Sequence, residues 1–319
     1  MTLICNISQH NSPYTSKEKF LSNSNNKTEL ISKLVEALEA ANVTTVCCRD
    51  DADTIIIREC LHHSLLDTVE VRAGDADILI MLVHHYNQEK HHNIIVTTSA
   101  GSYCIKEIVQ SLTYEQKKYL LFCHSFTGCD TVSSFRGFSK EKLYARLCSG
   151  NLSPLIDVFY DANSSKDNIS EAGVEIIQFI YKSRGTQLSS LRVNKYNKQS
   201  KIGVIKPENL PPTDAAARQH SLRAYLQLQD WIVLQSMSRD PKEYGWCQTT
   251  CGDYEPILTT HPIAPEHLLQ FVSCNCSGDC STNRCSCKKN NVKCISACGN
   301  CHCNQCKNID GYVTDIDDQ

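Results

Sequence analysis

The chain has 319 residues, enough for one full domain and a smaller one, and its formal net charge is −3. This near balance excludes a protein that coats nucleic acid by bulk positive charge, so any basic surface has to be local. No N-terminal signal segment and no apolar run of about 18 residues occurs, which predicts a soluble, intracellular protein without a membrane partner.

The first half of the chain alternates between helical and strand patterns. Residues 1–26 are polar and weakly patterned, and we expect an N-terminal segment there. A helix is predicted over 27–41 with Asn26 or Thr28 as its cap, followed by a short strand, VTTVCC, at 43–48. Strands alternating with helices predict an α/β domain with a parallel sheet over 27–150. The further elements expected in it are helices over 51–66, 78–85, 105–112 and 115–124, and strands over 68–72 and 94–98.

Two acidic pairs, Asp51 with Asp53 and Asp75 with Asp77, lie in this alternating stretch. The first pair opens a helix, and the second follows the strand TVEV. A strand–acid–helix unit brings carboxylates to one end of a sheet, where they would hold hard cations such as Mg²⁺ or Mn²⁺. Two such ions drive in-line displacement at a phosphodiester. For one pair alone, helix capping is the simpler interpretation, since Asp is a good residue at a helix start.

A third acidic position, Asp130, follows Gly128 in FTGCD at 126–130. The sequence after it predicts a helix, a glycine-containing turn at 136–139 and a second helix from Lys140. Such a turn would hold a nucleic-acid phosphate through backbone N–H groups and nearby cations, and a solvated loop is the alternative. The residues predicted to contact nucleic acid here are Arg136, Gly137, Lys140 and Lys142.

Residues 151–273 are expected to form a helical and irregular extension. Helices are predicted over 174–181 and over 214–234, the second capped by Thr213. The basic stretch 184–207 is expected to be a solvated linker or a phosphate contact, and 240–262 an irregular arm. Adjacent histidines point different ways on a helix, so we expect surface or groove residues rather than metal sites at His62 and His63, His84 and His85, and His91 and His92.

Ten of the twenty cysteines lie in the last fifth of the chain. Thiols clustered in a reducing compartment indicate metal rather than disulfides, and several Zn²⁺ ions with some bridging sulfurs are predicted. Metal has to stabilise the fold of residues 274–306, because this stretch has no apolar core. An acidic tail follows at 307–319. The predicted zinc ligands are Cys274, Cys276, Cys280, Cys285, Cys287, Cys294, Cys298, Cys301, Cys303 and Cys306.

The acidic motifs, followed by SSFRGFSKEK, resemble the internal region of flap-endonuclease/XPG-type nucleases of the PIN-like superfamily. The match is closer to transposon-associated proteins that end in a cysteine-rich segment, and it covers roughly residues 20–306. The resemblance implies a PIN-like parallel sheet with flanking helices and a helix-turn-helix that grips duplex DNA. It also implies that the metal-binding, catalytic carboxylates are Asp51, Asp53, Asp75, Asp77 and Asp130.

This sequence departs from that family pattern in three places. Only 50 residues precede Asp51, so the family's upstream strand and acids have no counterpart. The first acid of the first pair is Asp rather than Glu, and Ser139 replaces the second glycine of the turn. We therefore expect an N-terminally truncated or degenerate nuclease domain.

The cysteine spacing resembles the tesmin-type CXC domain, in which nine cysteines bind three zinc ions and the module contacts DNA. A tenth cysteine is present here, and Arg284 stands where family members carry a tyrosine that enters the minor groove. Arginine suits a narrow minor groove by its charge, and Lys288 and Lys289 would extend a local basic face.

The two resemblances together imply a nuclear, mobile-element-derived DNA-binding protein with a zinc module and a nuclease-like domain. The alternative is an active Mg²⁺-dependent, structure-selective DNA endonuclease that uses a two-metal mechanism.

Overall fold

The computed structural model describes residues 16–48, 52–182, 185–200, 209–235, 239–261, 273–295, 298–302 and 306–309. Within them the chain is a mixed arrangement of helices and small sheets, followed by a cysteine-rich cluster. The predicted ligands Asp51 and Cys303, residues 201–208 of the basic stretch, and the acidic tail from residue 310 onward lie outside the described residues.

Helices make up most of the described chain. They are α1 (Lys17–Leu21), α2 (Ser24–Ala40), α3 (Asp53–His63), α4 (Ala76–His85), α5 (Ile105–Ser111), α6 (Tyr114–Phe126), α7 (Lys140–Cys148), α8 (Ser153–Tyr160), α9 (Lys166–Ile180), α10 (Leu188–Ser200), α11 (Asp214–Val233) and α12 (Ser286–Lys289). The strands are β1 (Val69–Arg72), β2 (Ile94–Thr98), β3 (Gly101–Cys104), β4 (Trp246–Gln248) and β5 (Tyr254–Pro256). None of the described helices combines the length and apolarity needed to cross a membrane.

The larger sheet has three strands in the order β1–β2–β3, and it is mixed rather than parallel. β1 and β2 run parallel with Val69 opposite Ile94, and α4 lies in the connection between them. β3 then pairs antiparallel with β2, with Ile95 opposite Cys104. The expected parallel arrangement therefore holds for one strand pair only. The sequence did not predict β3. This strand has only four residues, GSYC, and its first three are exposed, so it lacks the alternation of apolar and polar side chains that indicates a strand.

The core continues from this sheet into a layer of helices. The rings of Phe122, Phe126 and Phe159 are fully buried, with centroids 5.1–5.5 Å apart, and they join α6 to α8. Helix α11 packs against α6, α8 and α9. Its polar side chains are buried with partners: Gln229 Nε2 donates to Phe159 O at 2.8 Å, and Ser221 Oγ donates to Ala217 O at 2.8 Å.

Several predicted boundaries differ from the structure near the N-terminus. Helix α2 begins at Ser24, because the Asn23 side chain accepts hydrogen bonds from the N–H groups of the next turn and caps the helix. The cap predicted at Asn26 or Thr28 is therefore wrong, and the polar residues 16–26 are largely helical. Residues 43–48 form no strand, and Val43 and Val46 in that stretch are exposed.

Three later predictions also differ. No helix forms at 127–139, so a loop precedes α7 and the predicted helix-turn-helix lacks its first helix. Part of the expected linker is helix α10, which is anchored by the fully buried Leu188. The expected irregular arm contains a 3₁₀ turn at Pro241–Glu243 and the antiparallel hairpin β4–β5.

The close contact between α9 and α11 depends on Gly173. A Cβ atom at this position would lie 1.8 Å from Ser221 Oγ and 2.4 Å from Ser221 Cβ. We expect Gly173→Ala to lower the free energy of unfolding by about 1–3 kcal/mol through overpacking, measured by denaturant titration. Gly74→Ala is the control, because a Cβ at Gly74 meets nothing within 4 Å. Equal stability of the two variants would contradict the prediction.

Candidate metal centres

The cysteine-rich end forms a compact cluster of thiols. Eight of its cysteines are at most 5% exposed. The Sγ atom of Cys274 lies 3.8 Å from that of Cys280 and 3.9 Å from that of Cys294, and Cys287 Sγ lies 3.7 Å from Cys298 Sγ. These separations match the edge of a ZnS₄ tetrahedron, about 3.8 Å for a Zn–S bond of about 2.3 Å. A disulfide would need about 2.0 Å.

The thiols fall into overlapping groups of four that could each hold a metal ion. Cys274 and Cys294 each belong to three of the four groups, so their sulfurs are placed to bridge neighbouring ions. All ten predicted ligands except Cys303, which is not described, take part. The groups are Cys274, Cys294, Cys298 and Cys301; Cys274, Cys276, Cys280 and Cys285; Cys274, Cys285, Cys287 and Cys294; and Cys280, Cys294, Cys301 and Cys306.

Backbone N–H donors favour the thiolate form of Cys298, the form that binds metal, whereas burial raises the pKa of Cys274 and Cys287. Cys298 Sγ accepts from the backbone N–H groups of Cys274 and Ile295, at 3.5 and 3.4 Å. Burial raises the pKa of the Cys298 thiol, but these N–H donors and the neighbouring thiols lower it to about 7. Asn308 donates from its backbone to Cys306 Sγ at 3.2 Å and from its side chain to Cys294 Sγ at 3.5 Å.

The basic residues predicted to contact DNA lie on the exposed surface beside these thiols. Arg284, Lys288 and Lys289 are all exposed and flank the buried Cys285 and Cys287 in the chain. The cluster therefore combines a buried set of possible metal ligands with a cationic surface.

A second group of possible ligands consists of carboxylates at the starts of two helices. Asp53 begins α3, Asp75 caps α4, and Asp77 lies in the first turn of α4. One oxygen of each lies within 4.8 Å of the other two, a spacing that a hard cation could occupy. Capping also occurs, because Asp75 Oδ1 accepts from the N–H of Asp77 at 3.0 Å. Helix capping and cation binding are therefore compatible roles for Asp75 and Asp77.

The fourth described acid of the predicted set lies apart. Asp130 is exposed in the loop after α6, and it is not a member of the carboxylate group. The course of this loop depends on Gly128, which has φ +124° and packs closely against Ser134. A Cβ atom at Gly128 would lie 2.8 Å from Ser134 Cβ. The structure thus brings together three of the five predicted carboxylates, with Asp51 outside the described residues.

A buried histidine orients one of the clustered carboxylates. His124 is 4% exposed, and its Nε2 lies 2.5 Å from Asp77 Oδ1. On the other side of the ring, Lys140 Nζ lies 2.9 Å from His124 Nδ1. An ammonium group only donates, so Nδ1 accepts, and Nε2 carries the proton that is donated to Asp77. Stacking on Trp231, with centroids 5.7 Å apart, holds the ring in place.

The sequence does not single out His124, although its spacing within α6 is informative. His124 lies three residues after the buried Leu121, at a helical position where an apolar side chain is the norm. A polar residue there needs a buried partner. Lys140, which the sequence predicts to contact nucleic acid, places its ammonium group against His124.

The other residues singled out in the sequence have varied surroundings. Arg136 and Lys142 are exposed, and Gly137 has φ +87° in the turn between them, as the predicted turn requires. His62 is exposed as expected, whereas His85 is half-buried with its Nε2 2.9 Å from Trp231 O.

The pKa of Asp77 gives a test of its link to His124 in metal-free protein. Burial raises this pKa, but the hydrogen bond from His124 and the nearby Lys140 charge bring it below its usual value. Ionised Asp77 therefore stabilises the fold above its unfolded-state pKa, and this contribution is lost as pH falls through the lower folded-state pKa. We expect His124→Leu to raise the Asp77 pKa and shift this loss to higher pH.

Stability measured by denaturation between about pH 2 and pH 7 checks this shift. His62→Leu is the matched control, since the same side chain is removed from an exposed position of α3. Identical pH profiles for the two variants would contradict the role given to His124.

Comparison of the chain with family models, with curated proteins and with solved structures finds no match.

Proposed function

We propose that this chain is a DNA-binding protein whose C-terminal cysteine cluster is a zinc-loaded CXC module. The observation that carries the proposal is the set of Sγ separations of 3.7–4.0 Å among buried, mutually overlapping thiols. Zinc would supply the cross-links that replace an apolar core. Arg284, Lys288 and Lys289 contact the phosphates of duplex DNA from the adjoining exposed surface.

The proposal includes a PIN-like, nuclease-related origin for the α/β part of the chain and a place in the nucleus. The parallel unit β1–α4–β2, with Asp75 and Asp77 just after β1, supports this relationship. So does the order of the acidic motifs, which resembles that of transposon-associated proteins. Under this proposal, the protein descends from a mobile element and acts by binding DNA.

An active endonuclease is the second candidate function, and the grouping of Asp53, Asp75 and Asp77 favours it. Bound Mg²⁺ or Mn²⁺ would supply the Lewis acid for phosphodiester hydrolysis. The protein's own contribution is the orientation of Asp77 by His124, which leaves the second oxygen of the carboxylate for a cation. The separate position of Asp130 leaves this carboxylate group smaller than the family set.

Zinc removal tests the DNA-binding proposal. Treatment of purified full-length protein with a strong chelator should release zinc, measured by a colorimetric indicator, and weaken duplex DNA affinity at least tenfold in fluorescence anisotropy. The physical reason is that the cationic surface depends on the metal-supported fold. Readdition of Zn²⁺ should restore affinity.

Charge removal at the same surface separates direct contact from simple unfolding. We expect the triple variant Arg284→Gln, Lys288→Gln, Lys289→Gln to keep its zinc and lose duplex affinity, with a shallower salt dependence. Asp75→Ala is the control and should bind as the unmodified protein does. Unchanged duplex affinity in both the chelated protein and the triple variant would refute the proposal.

Cleavage assays test the second function. Full-length protein with Mg²⁺ or Mn²⁺ should cut flap or branched DNA, and Asp77→Asn should lower the rate at least a hundredfold by removing a charged ligand. Glu89→Gln, an exposed acid outside the cluster, is the control. Absence of cleavage with either metal would exclude the endonuclease and leave the binding proposal standing.

A further inference from the structure

Two cavities lie beside the loop at 128–136. One cavity of about 640 Å³ lies between this loop and the β4–β5 hairpin, and a second of about 270 Å³ continues along α11 toward Tyr181 and Arg192. The two cavities adjoin, because both are lined by Ser133, Ser134, Arg223 and Leu258, and together they are called the groove.

The floor of the groove carries a buried cation. Arg223 on α11 is 4% exposed, and its Nη1 donates to Gly245 O at 3.1 Å and to Ile257 O at 2.7 Å. No ion pair between Arg223 and a carboxylate is found among the described residues. A guanidinium held by carbonyl dipoles keeps its full positive charge, and a buried charge without a counter-ion is costly. An anion in the groove would remove that cost.

The rim adds groups that suit a phosphodiester. Arg136 and Arg192 line the smaller cavity, and Arg192 is held in place by a hydrogen bond from its Nη1 to Pro211 O. Arginine presents a planar set of donors that matches phosphate oxygens. Tyr181 lies in the same cavity and Trp246 in the larger one, which places aromatic rings beside the cations.

The wall formed by the loop is fixed rather than loose. His220 Nε2 lies 2.9 Å from Phe126 O, and its Nδ1 lies 3.3 Å from Ser133 Oγ, which ties the loop to α11. Burial lowers the pKa of His220 to about 4, so its ring is neutral and adds no charge of its own. Thr131 donates to Gln227 on the same helix.

We propose that this groove binds a single-stranded segment of nucleic acid, with a phosphate at Arg223, Arg136 and Arg192 and bases against Tyr181 and Trp246. The inference deepens the proposed DNA-binding function by adding a second contact surface. A single strand suits the site because its flexible backbone can place a phosphate over a cation at the floor of a groove, and bases stack on aromatic rings without sequence preference.

One end of the larger cavity is lined by Cys129 and Asp130. Asp130 places a negative charge at that end, so the phosphate binds at the arginine end.

Trp246 gives a direct readout in the full-length, zinc-loaded protein. The chain has two tryptophans, and Trp231 is 2% exposed, so Trp246 is the one that lines the groove. We expect a thymidine oligonucleotide of about 12 nucleotides to quench its emission. The double variant Arg136→Gln, Arg192→Gln should weaken this binding at least tenfold and lower the salt slope by about 0.7 for each phosphate that the protein no longer neutralises.

Arg218→Gln is the matched control, since Arg218 is exposed on α11 and does not line either cavity. The double variant avoids Arg223, whose carbonyl contacts make its replacement a risk to folding. Two results would overturn the inference: single-strand binding detected by anisotropy without any change in Trp246 emission, or equal affinities of the double variant and Arg218→Gln. Quenching by duplex but not by single strand would overturn the ligand class. Each of these outcomes leaves the zinc-dependent duplex binding intact.

Discussion

The burial of helix α11 is the constraint on which most of the structure depends. This helix is enclosed along most of its length, yet it carries Gln229, Arg223 and His220. Because a buried polar group without a partner is costly, each of these side chains has to find one. Their hydrogen-bond partners are backbone carbonyls of distant segments, at Phe159, Gly245, Ile257 and Phe126. The same hydrogen bonds therefore position α8, the β4–β5 hairpin and the loop after α6 against α11.

Both sites in the main body take their geometry from this helix. Trp231 stacks on His124, which in turn orients Asp77 among the clustered carboxylates. Eight residues earlier, Arg223 provides the cationic floor of the groove. The Asp77 carboxylate is held by a histidine ring and the Arg223 guanidinium by backbone carbonyls, so buried neighbours set the orientation of both charged groups. The cysteine cluster is organised differently, since its thiols pack mainly on each other.

Local patterns predicted several elements well. The parallel pair β1 and β2, helix α4 and the cap Thr213 follow from apolar spacing and cap chemistry within a few residues. The predictions that were wrong lie where local signals are weak or compete. Asn23, Asn26 and Thr28 are all plausible caps in one polar stretch. Helix α10 is a basic segment whose place depends on tertiary contacts, among them the burial of Leu188 and the hydrogen bond from Arg192 to Pro211 O.

The cysteine sequence alone predicted a thiol cluster near the C-terminal end, because ten closely spaced cysteines are typical of a metal site. The acidic motifs likewise marked Asp53, Asp75 and Asp77. Only the tertiary structure decided that Asp130 lies apart from them and that His124, Lys140 and Arg223 lie beside the two sites. These residues lie far apart in the chain. The packing of α3 on α4 and of α4 on α6 brings Asp53, Asp77 and His124 together, and α11, which carries Arg223, packs against α6.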